Sequence, residues 1–317
     1  MAMYLAIEIG GTKLQLAVGT GTGHGLASLQ RLDVDPRGGA EGIRQQLREA
    51  GNELISCHDI QSIGIGFGGP VDSVTGKTIE SFQIEGWDDF PLVLWAEEHL
   101  RRPTFLGNDS DIAGLGEALL GAGAGSKVVV YSNVGSGIGG ALIIDGQLYS
   151  GGCGIATEIG HLRPGVEATT REDTVESVSS GWGMTEYAKR LLAAPPDDLA
   201  GAAAELMAQS AGDLAAIDGK LLGTALAEDN AFAKHVFARG IEHYGWALAQ
   251  TITLLSPNVL VIGGGVPQLG DELFLDPLRK KIEQYVYGPL ADKYEVRAAA
   301  LGEEVVLYGA LILARPS

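Results

Sequence analysis

The chain has 317 residues, of which 45% are hydrophobic, so it can build one large or two medium domains without disulfides. Its formal net charge of -18 argues against nucleic acid or an anionic membrane as a general partner. The two cysteines match neither a metal site nor a disulfide framework, and the N-terminus lacks a signal-peptide pattern. This cysteine usage and the missing signal-peptide pattern make a reducing cytoplasm the expected location. No apolar run approaches the roughly 20 residues of a membrane span.

The first segment is a predicted β-hairpin. Residues 3–9 and 14–19 have the alternating apolar pattern of strands, and a short glycine turn joins them. The turn consists of Gly10, Gly11, Thr12 and Lys13. Its backbone N–H groups and hydroxyl can hold phosphate oxygens, and Glu8 is placed to hold a hydrated metal ion. The alternative is an ordinary glycine turn beside an exposed acid.

Strands and helices then alternate along the chain. Apolar residues at helical or strand spacing predict a third strand near 26–34, a helix over 43–54, a buried strand over 63–67 and a helix over 92–100. The buried strand leads into a turn that begins with Gly68 and Gly69. A ligand can approach the backbone closely at such a turn because glycine has no side chain.

Asp109 occupies the junction around which we expect the rest of the chain to be organised. A short apolar run, 104–106, stops at Gly107 and Asn108, and an amphipathic helix follows. A carboxylate at a strand-to-helix turn is stabilised by the amides and the positive dipole end of the helix. At the mouth of a cleft it can still accept a proton. The alternative function of the Asn-Asp pair is a helix cap.

The opening pattern is repeated after this helix. We predict a strand over 127–133, a glycine turn over 134–140 and a second strand over 141–144. The turn contains Gly135, Ser136 and Gly137, so each of the two hairpins has glycines and a hydroxyl at its tip. The repeat predicts two similarly built halves facing one nucleotide, with one turn for each end of the triphosphate.

A group of polar residues follows the second hairpin. Glu158, His161 and Glu176 bracket a short polar loop, and two acids with a histidine can hydrogen-bond a polyol. A metal site is the rival interpretation, although no cysteine or histidine follows His161 until His235. A solvated charged loop is the third.

The remaining segments repeat the order of the first half. Helical patterns cover 181–192 and a long core helix at 237–255, with an alanine-rich, peripheral helical region over 193–230 between them. A strand at 259–262 precedes Gly263, Gly264 and Gly265, where a planar base can lie against bare backbone. A strand near 296–301 and a helix over 303–314 close the chain.

Together these motifs resemble the ROK family (repressors, open reading frames and sugar kinases), within the superfamily of hexokinases, actin and heat-shock ATPases. The resemblance rests on residues 8–13, 68–72, Asn108-Asp109 with Glu117, 135–140, Glu158-x-Gly160-His161, Glu176 with Ser180-Gly181, and 263–265. It implies an α/β fold of two ribonuclease H-like lobes with an interlobe cleft. The expected lobes are 1–107 plus 303–317, and 108–302.

The resemblance also implies an activity and roles for the site residues. The expected reaction is ATP-dependent phosphorylation of a hexose hydroxyl, of glucose or a close relative, with Asp109 as the general base. Gly68, Asn108, Glu158, His161 and Glu176 would bind the sugar. The glycine segments 10–13, 135–137 and 263–265 would bind ATP, and Glu8 would hold Mg²⁺ through water. The family is often dimeric, so a homodimer is possible.

Two departures from the family pattern bear on these expectations. Glu8 stands where the family commonly has Asp, which lengthens the reach to the metal by one methylene. The usual zinc loop has three cysteines after the Gly-His pair, whereas residues 163–174 contain none, so we expect no structural zinc.

Two other functions stay open. One is a catalytically silent sugar-binding relative. The other is a sugar-responsive transcriptional regulator, which the acidic charge and a first strand starting by Met3 disfavour, because no helix-turn-helix fits before it. The hexose, the hydroxyl and the choice between ATP and polyphosphate as donor are also undecided.

Overall fold

A computed structural model describes residues 2–81 and 83–316 of the chain. Its internal contacts group the chain into two compact units. The first unit consists of Met1–Tyr131, Ala141–Ala156 and Ala299–Ser317, and the second of Ser132–Gly140 and Thr157–Ala298. The predicted lobe boundary between residues 107 and 108 stays a prediction.

The first part of the chain alternates strands and helices much as predicted. Its strands are β1 (Met3–Ile9), β2 (Lys13–Gly19), β3 (Leu26–Asp33), β4 (Ile60–Phe67), β5 (Val71–Asp72), β6 (Lys77–Thr78) and β7 (Thr104–Asn108). Its helices are α1 (Gly39–Cys57), α2 (Leu92–Leu100) and α3 (Asp109–Leu119). The predicted third strand ends one residue early, at Asp33.

The first sheet brings three strand ends to one edge. Its order is β3-β2-β1-β4-β7, with β1–β2 and β2–β3 antiparallel. The pairs β1–β4 and β4–β7 are parallel, and Ile9, Phe67 and Asn108 stand side by side in register. Because parallel strands end together, Glu8, Gly68 and Asp109 come from distant parts of the sequence to the same edge.

Hydrophobic packing holds this sheet in place. One core cluster joins Leu5 and Ile7 of β1 to Ile43 and Leu47 of α1 and to Leu92 of α2, all of them fully or almost fully buried. Alternate residues of a strand face opposite sides of the sheet, so β1 has a second buried face. The closing helix, α10 (Val305–Leu313), packs against β1, β4 and α3.

The second part of the chain repeats the pattern. Its strands are β8 (Val128–Val134), β9 (Ile138–Ile144), β10 (Gln147–Leu148), β11 (Val259–Gly263) and β12 (Glu295–Ala298). Before α10, its helices are α4 (Val175–Ser179), α5 (Gly181–Leu192), α6 (Ala200–Gln209), α7 (Gly219–Ala227), α8 (Ala231–Leu255) and α9 (Asp276–Tyr285). The second sheet has the order β10-β9-β8-β11-β12, which matches the first strand for strand. The predicted α/β fold with a duplicated topology is confirmed.

The structure corrects several predicted boundaries. The glycine turn is shorter than predicted, because residues 138–140 already pair in β9 and leave Gly135, Ser136 and Gly137 at the tip. The last strand stops at Ala298 instead of residue 301. The closing helix begins with a 3₁₀ turn, Gly302–Glu304, before α10. Such ends depend on local hydrogen bonds that sequence periodicity does not resolve.

One long helix ties the second unit together. The 25 residues of α8 bury one face, which includes Phe237 and Tyr244, and the helix ends before Pro257 as predicted. The hydroxyl of Tyr244 donates to Oγ of Ser132 on β8 at 2.8 Å. No helix within residues 2–81 and 83–316 is long and apolar enough to span a bilayer.

Candidate active site

Asp109 is the first residue of α3, immediately after the residue that caps the helix. Asn108 has extended backbone angles, and its Oδ1 accepts hydrogen bonds from the N–H of Ser110 at 2.9 Å and of Asp111 at 3.4 Å. Its Nδ2 donates to the carbonyl of Gly69 at 2.9 Å, which joins α3 to the turn after β4. The capping role therefore belongs to Asn108, whose side chain also hydrogen-bonds to Asp109 and lowers the pKa of that carboxyl.

The carboxylate of Asp109 has two oxygens in different surroundings. Oδ1 accepts from the N–H of Ser110 at 2.8 Å. Oδ2 faces Gly68, where a Cβ would lie 3.5 Å from it. Burial raises the pKa of Asp109, and the hydrogen bonds from Ser110 oppose that rise. A carboxylate with a raised pKa is a better proton acceptor, so the site suits a general base.

Glu8 lies near Asp109 at the end of β1. Its Oε2 accepts from Nε2 of Gln15 at 2.7 Å, and its Oε1 is 3.8 Å from Nζ of Lys13. Burial raises the pKa of Glu8, Lys13 and Gln15 lower it, and the negative charges of Asp109 and Glu303 add to the rise. The side chain is 13% exposed, so solvent reaches it.

These contacts of Glu8 fit the predicted role toward Mg²⁺. Oε2 is oriented by Gln15, and Oε1, which is 3.8 Å from Nζ of Lys13, belongs to a side chain that solvent reaches. A hydrated Mg²⁺ needs only one or two carboxylates. Within residues 2–81 and 83–316, no three His, Cys, Asp or Glu side chains form a cage of their own.

The first glycine turn is closed by its own backbone. The N–H of Gly10 donates to the carbonyl of Lys13 at 3.0 Å, and Thr12 is exposed at the tip. The N–H of Gly68 donates to the carbonyl of Ile9 at 2.9 Å. The first glycine turn therefore lies directly beside the glycines that follow β4. Asp109 starts its helix at the same edge of the sheet.

The predicted sugar-binding acids come together in the second unit. Glu158 precedes a 3₁₀ turn, Ile159–His161, and its Oε2 is 4.0 Å from Nε2 of His161. Partial burial raises the pKa of Glu158, His161 lowers it, and the nearby charge of Glu176 raises it further. Thr157 has φ of 60°, which is strained for a β-branched residue and typical of functional loops.

Glu176 connects these acids to the second glycine turn. Its Oε2 accepts from the N–H of Ile138 at 2.7 Å, at the start of β9. Gly160 is required by a similar close approach, because a Cβ there would lie 2.2 Å from the carbonyl oxygen of Ile138. The Glu158-x-Gly160-His161 motif is thus packed against the hairpin that carries the turn.

The cysteine-free loop has contacts of its own. The N–H of Val175 donates to the carbonyl of Leu162 at 2.8 Å and closes the loop. Oδ2 of Asp173 accepts from the N–H of Thr169 at 3.1 Å and of Thr170 at 2.9 Å. These hydrogen bonds lower the pKa of Asp173, with a smaller contribution from Arg163. Protein groups hold the segment in which the family pattern has zinc.

A cavity of about 900 Å³ opens beside the second glycine turn. Gly135 and Ser136 form one edge, and α5, α7 and the segment after β11 form the walls. The N–H of Gly181, at the start of α5, donates to the carbonyl of Gly135 at 2.7 Å. This volume lies in the range of small-molecule sites.

The three glycines after β11 have different positions. Gly263 is the last residue of β11, and Gly265 lines the cavity. Gly264 has φ of 95°, and a Cβ there would be 2.3 Å from the carbonyl oxygen of Val134. Gly264 is needed by the close approach of two backbones, whereas a Cβ at Gly265 would meet no atom within 4 Å.

Sequence reasoning missed much of the wall of this cavity. Several lining side chains come from α5, α7 and α8, including Trp182, Lys189, Lys220, Leu222 and Phe237. The alanine-rich region was predicted to be peripheral, yet α7 forms a wall. The one available signal was an aromatic residue directly after the Ser180-Gly181 motif.

Comparison with known proteins decides the family. A family model described as the ROK family matches residues 4–317. The chain belongs to the ROK family. Since this match covers nearly the whole sequence, the predicted resemblance is confirmed.

Individual proteins are similar to this chain over nearly their whole length. A glucokinase of Halalkalibacterium halodurans is 30% identical over 319 residues, which cover 96% of this chain and 93% of that protein. The crystal structure of a ROK family glucokinase from Streptomyces griseus, in complex with glucose and AMPPNP, has a TM-score of 0.81 at 30% identity and 99% coverage of both chains. The ROK hexokinase of Thermus thermophilus has a TM-score of 0.81 at 28% identity, covering 98% of this chain and 97% of its own.

Proposed function

We propose that this protein transfers the γ-phosphoryl group of ATP to a hydroxyl of a hexose, with glucose or a close relative as the preferred acceptor. The predicted enzyme class, a sugar kinase, is confirmed by the glucokinases to which the chain is similar along its whole length. The AMPPNP complex of the Streptomyces griseus relative supports ATP as the donor.

The observation that carries the proposal is the position of Asp109. Its Oδ1 is held by the N–H of Ser110, and Oδ2 faces the bare backbone at Gly68. A carboxylate anchored through one oxygen keeps its direction, while the other oxygen can accept a proton from an alcohol. In the proposed reaction, the oxygen of the sugar hydroxyl bonds to the γ-phosphorus of ATP. Oδ2 of Asp109 takes the proton that this hydroxyl loses. The bond between that phosphorus and the oxygen bridging it to ADP breaks, and ADP leaves.

The remaining residues have positioning roles in this proposal. Asn108, Glu158, His161 and Glu176 hold the other sugar hydroxyls, and the backbone at Gly68 leaves room for the ring. The N–H groups of the two glycine turns, 10–13 and 135–137, hold phosphate oxygens. Glu8 would hold Mg²⁺, and the bound ion would neutralise phosphate charge. Phosphoryl transfer depends mainly on such positioning and charge neutralisation, so few groups need to act chemically.

ADP release with a panel of hexoses tests the proposal. We expect ATP-dependent turnover with at least one hexose, with glucose or a close relative giving the highest kcat/KM. Sugar binding without phosphorylation of any panel member, with either ATP or polyphosphate as donor, would identify a catalytically silent sugar-binding protein instead. Retention of a specific DNA duplex at physiological salt would favour the regulator. A cytoplasmic location and a homodimer remain predictions.

A further inference from the structure

Trp182, on α5, is a large aromatic residue that has no role in the reaction proposed above. It is 46% exposed, whereas Trp87 is 1% exposed and Trp95 and Trp246 are partly buried. Trp182 also lines the cavity of about 900 Å³ in the second unit. An exposed indole in a concave site is a common device for binding flat ligands, because it offers a large rigid surface with few rotatable bonds.

The backbone holds Trp182 against the second glycine turn. Its N–H donates to the carbonyl of Ser136 at 3.4 Å, one residue after the 2.7 Å bond from Gly181 to Gly135. Oγ of Ser180 accepts from the N–H of Gly183 at 3.1 Å and caps α5. The first turn of α5 is therefore fastened to the proposed phosphate turn, and Trp182 is held beside that turn.

The wall of the cavity is suited to more than a phosphate chain. Apolar surface comes from Leu222, Phe237 and Leu269, and Glu186, Asp218 and Gln268 supply hydrogen-bonding groups. A nucleoside has an apolar, stackable base with polar edges and hydroxyls, which matches this mixture. Inorganic polyphosphate has no apolar group to cover these side chains, and the two lysines of the wall, Lys189 and Lys220, are matched in number by its two acids.

We propose that the indole of Trp182 stacks on the base of a nucleoside triphosphate and that the donor is therefore a nucleotide and not inorganic polyphosphate. The inference rests on the proposed kinase function and adds the residue that recognises the donor. Stacking of a base on an aromatic residue is sequence-tolerant, so Trp182 sets the preference for a nucleotide over polyphosphate.

Tryptophan fluorescence tests the contact without any need for turnover. Titration of the whole protein with AMPPNP should quench or shift its emission, and the change should disappear in Trp182→Phe. The matched control is Trp95→Phe, because Trp95 lies on α2 in the first unit and stacks on His99. The control should keep the change seen in the unsubstituted protein. A change that survives in Trp182→Phe would overturn the inference.

Affinity measurements separate stacking from a structural role. By calorimetry, Trp182→Ala should weaken AMPPNP binding roughly 5- to 150-fold, the range found when an aromatic stacking partner of a base is removed. Trp182→Phe should restore most of it. Tripolyphosphate, which has the phosphates and no base, should bind both variants as it binds the unsubstituted protein. Equal losses for AMPPNP and tripolyphosphate would mean that Trp182 only supports the turn.

Steady-state kinetics distinguish failure of this inference from failure of the proposed function. Trp182→Ala should raise KM for ATP and leave KM for the hexose unchanged. If no hexose is phosphorylated but AMPPNP binding still depends on Trp182, the kinase proposal fails and the stacking role stands. If hexose is phosphorylated and KM for ATP is unaffected, the stacking role fails alone. Faster turnover with polyphosphate than with ATP would overturn the donor assignment.

Discussion

Oδ2 of Asp109 lies against the backbone of Gly68. A methyl group added to Gly68 would be 3.5 Å from this oxygen. The two residues are 41 positions apart but adjacent in space, because β4 and β7 are parallel and Phe67 is paired with Asn108. The absence of a side chain at position 68 keeps one face of the carboxylate accessible. In the proposed reaction the sugar hydroxyl would approach Oδ2 of Asp109 from that face.

Replacement of Asp109 by Asn should lower kcat by roughly 100-fold or more while hexose binding persists, because Asn keeps the shape but cannot accept the proton. The measurement is ADP release at saturating hexose, with calorimetry for hexose affinity. The control is Asp111→Asn, which changes an acid in the same turn of α3 and should retain most activity. Unchanged turnover in Asp109→Asn would remove Asp109 from the mechanism.

The same substitution should raise the melting temperature at neutral pH. Burial raises the pKa of Asp109 in the folded protein above 3.8, so the ionised carboxylate destabilises the fold once the pH exceeds the folded pKa. The stabilisation contributed by the protonated form is complete below about pH 3.8 and is lost as the pH rises. The difference between Asp109→Asn and the original protein should therefore shrink toward zero on acidification. Thermal melts from neutral to acidic pH test this, and a variant less stable at neutral pH would contradict it.

The pH dependence of kcat/KM should have an acidic limb set by the proposed base. Asp109 must be ionised to accept a proton, and its pKa is raised, so activity should fall as the pH drops through a value above 3.8. Glu8 also has a raised pKa and would contribute to the same limb. Initial rates at constant ionic strength provide the profile. A limb at or below 3.8 would mean that burial does not affect the working carboxylate.

Gln15→Leu should increase the Mg²⁺ concentration needed for half-maximal activity by roughly 10- to 100-fold, as loss of a supporting hydrogen bond does at other metal sites. Gln15 is fully buried, and its Nε2 donates to Glu8 while its Oε1 accepts from Nε of Arg31 at 2.9 Å. Arg31 is in turn paired with Glu304. Loss of the amide would leave Glu8 without its donor and raise its pKa further.

The control for this substitution is Gln30→Ala on the neighbouring strand β3, where the amide contacts the exposed Glu53 at 3.4 Å. It should leave the Mg²⁺ requirement unchanged. Mn²⁺ binding followed by electron paramagnetic resonance in the presence of AMPPNP gives a readout independent of turnover. If Gln15→Leu lowers kcat but leaves both metal measurements unchanged, Glu8 does not hold the metal.

The protein should contain no stoichiometric zinc, since residues 163–174 lack cysteine and Asp173 orders the loop through two backbone amides. Asp173→Ala should loosen the loop after His161 and raise KM for the hexose with little effect on KM for ATP. Elemental analysis of protein purified without chelator and the two KM values test these points. One zinc per chain, or an effect of Asp173→Ala confined to ATP, would contradict them.

Much of the fold followed from local patterns. The hairpins at β1–β2 and β8–β9 were predictable because the alternation of apolar and polar residues and the glycine turns depend only on neighbouring residues. Asp109 is predicted as a site residue because a strand stops and a helix starts at that point, and its role stays a prediction. The lengths of the elements were less certain, and the second glycine turn was predicted too long because Ile138, Gly139 and Gly140 suit a turn or a strand equally well.

The sequence by itself determined the duplicated strand order and the family, and it predicts which polar residues could bind a sugar and phosphorylate it. Only the tertiary structure decided that Asn108 caps the helix and frees Asp109, that Gln15 orients Glu8, and that Trp182 stands in a cavity beside Gly135. Hydrophobic periodicity and turn residues are local features, so they can be recognised from the sequence alone. Register, burial and the docking of α7 onto a distant loop depend on contacts between residues far apart in the chain, and these exist only once the core has formed.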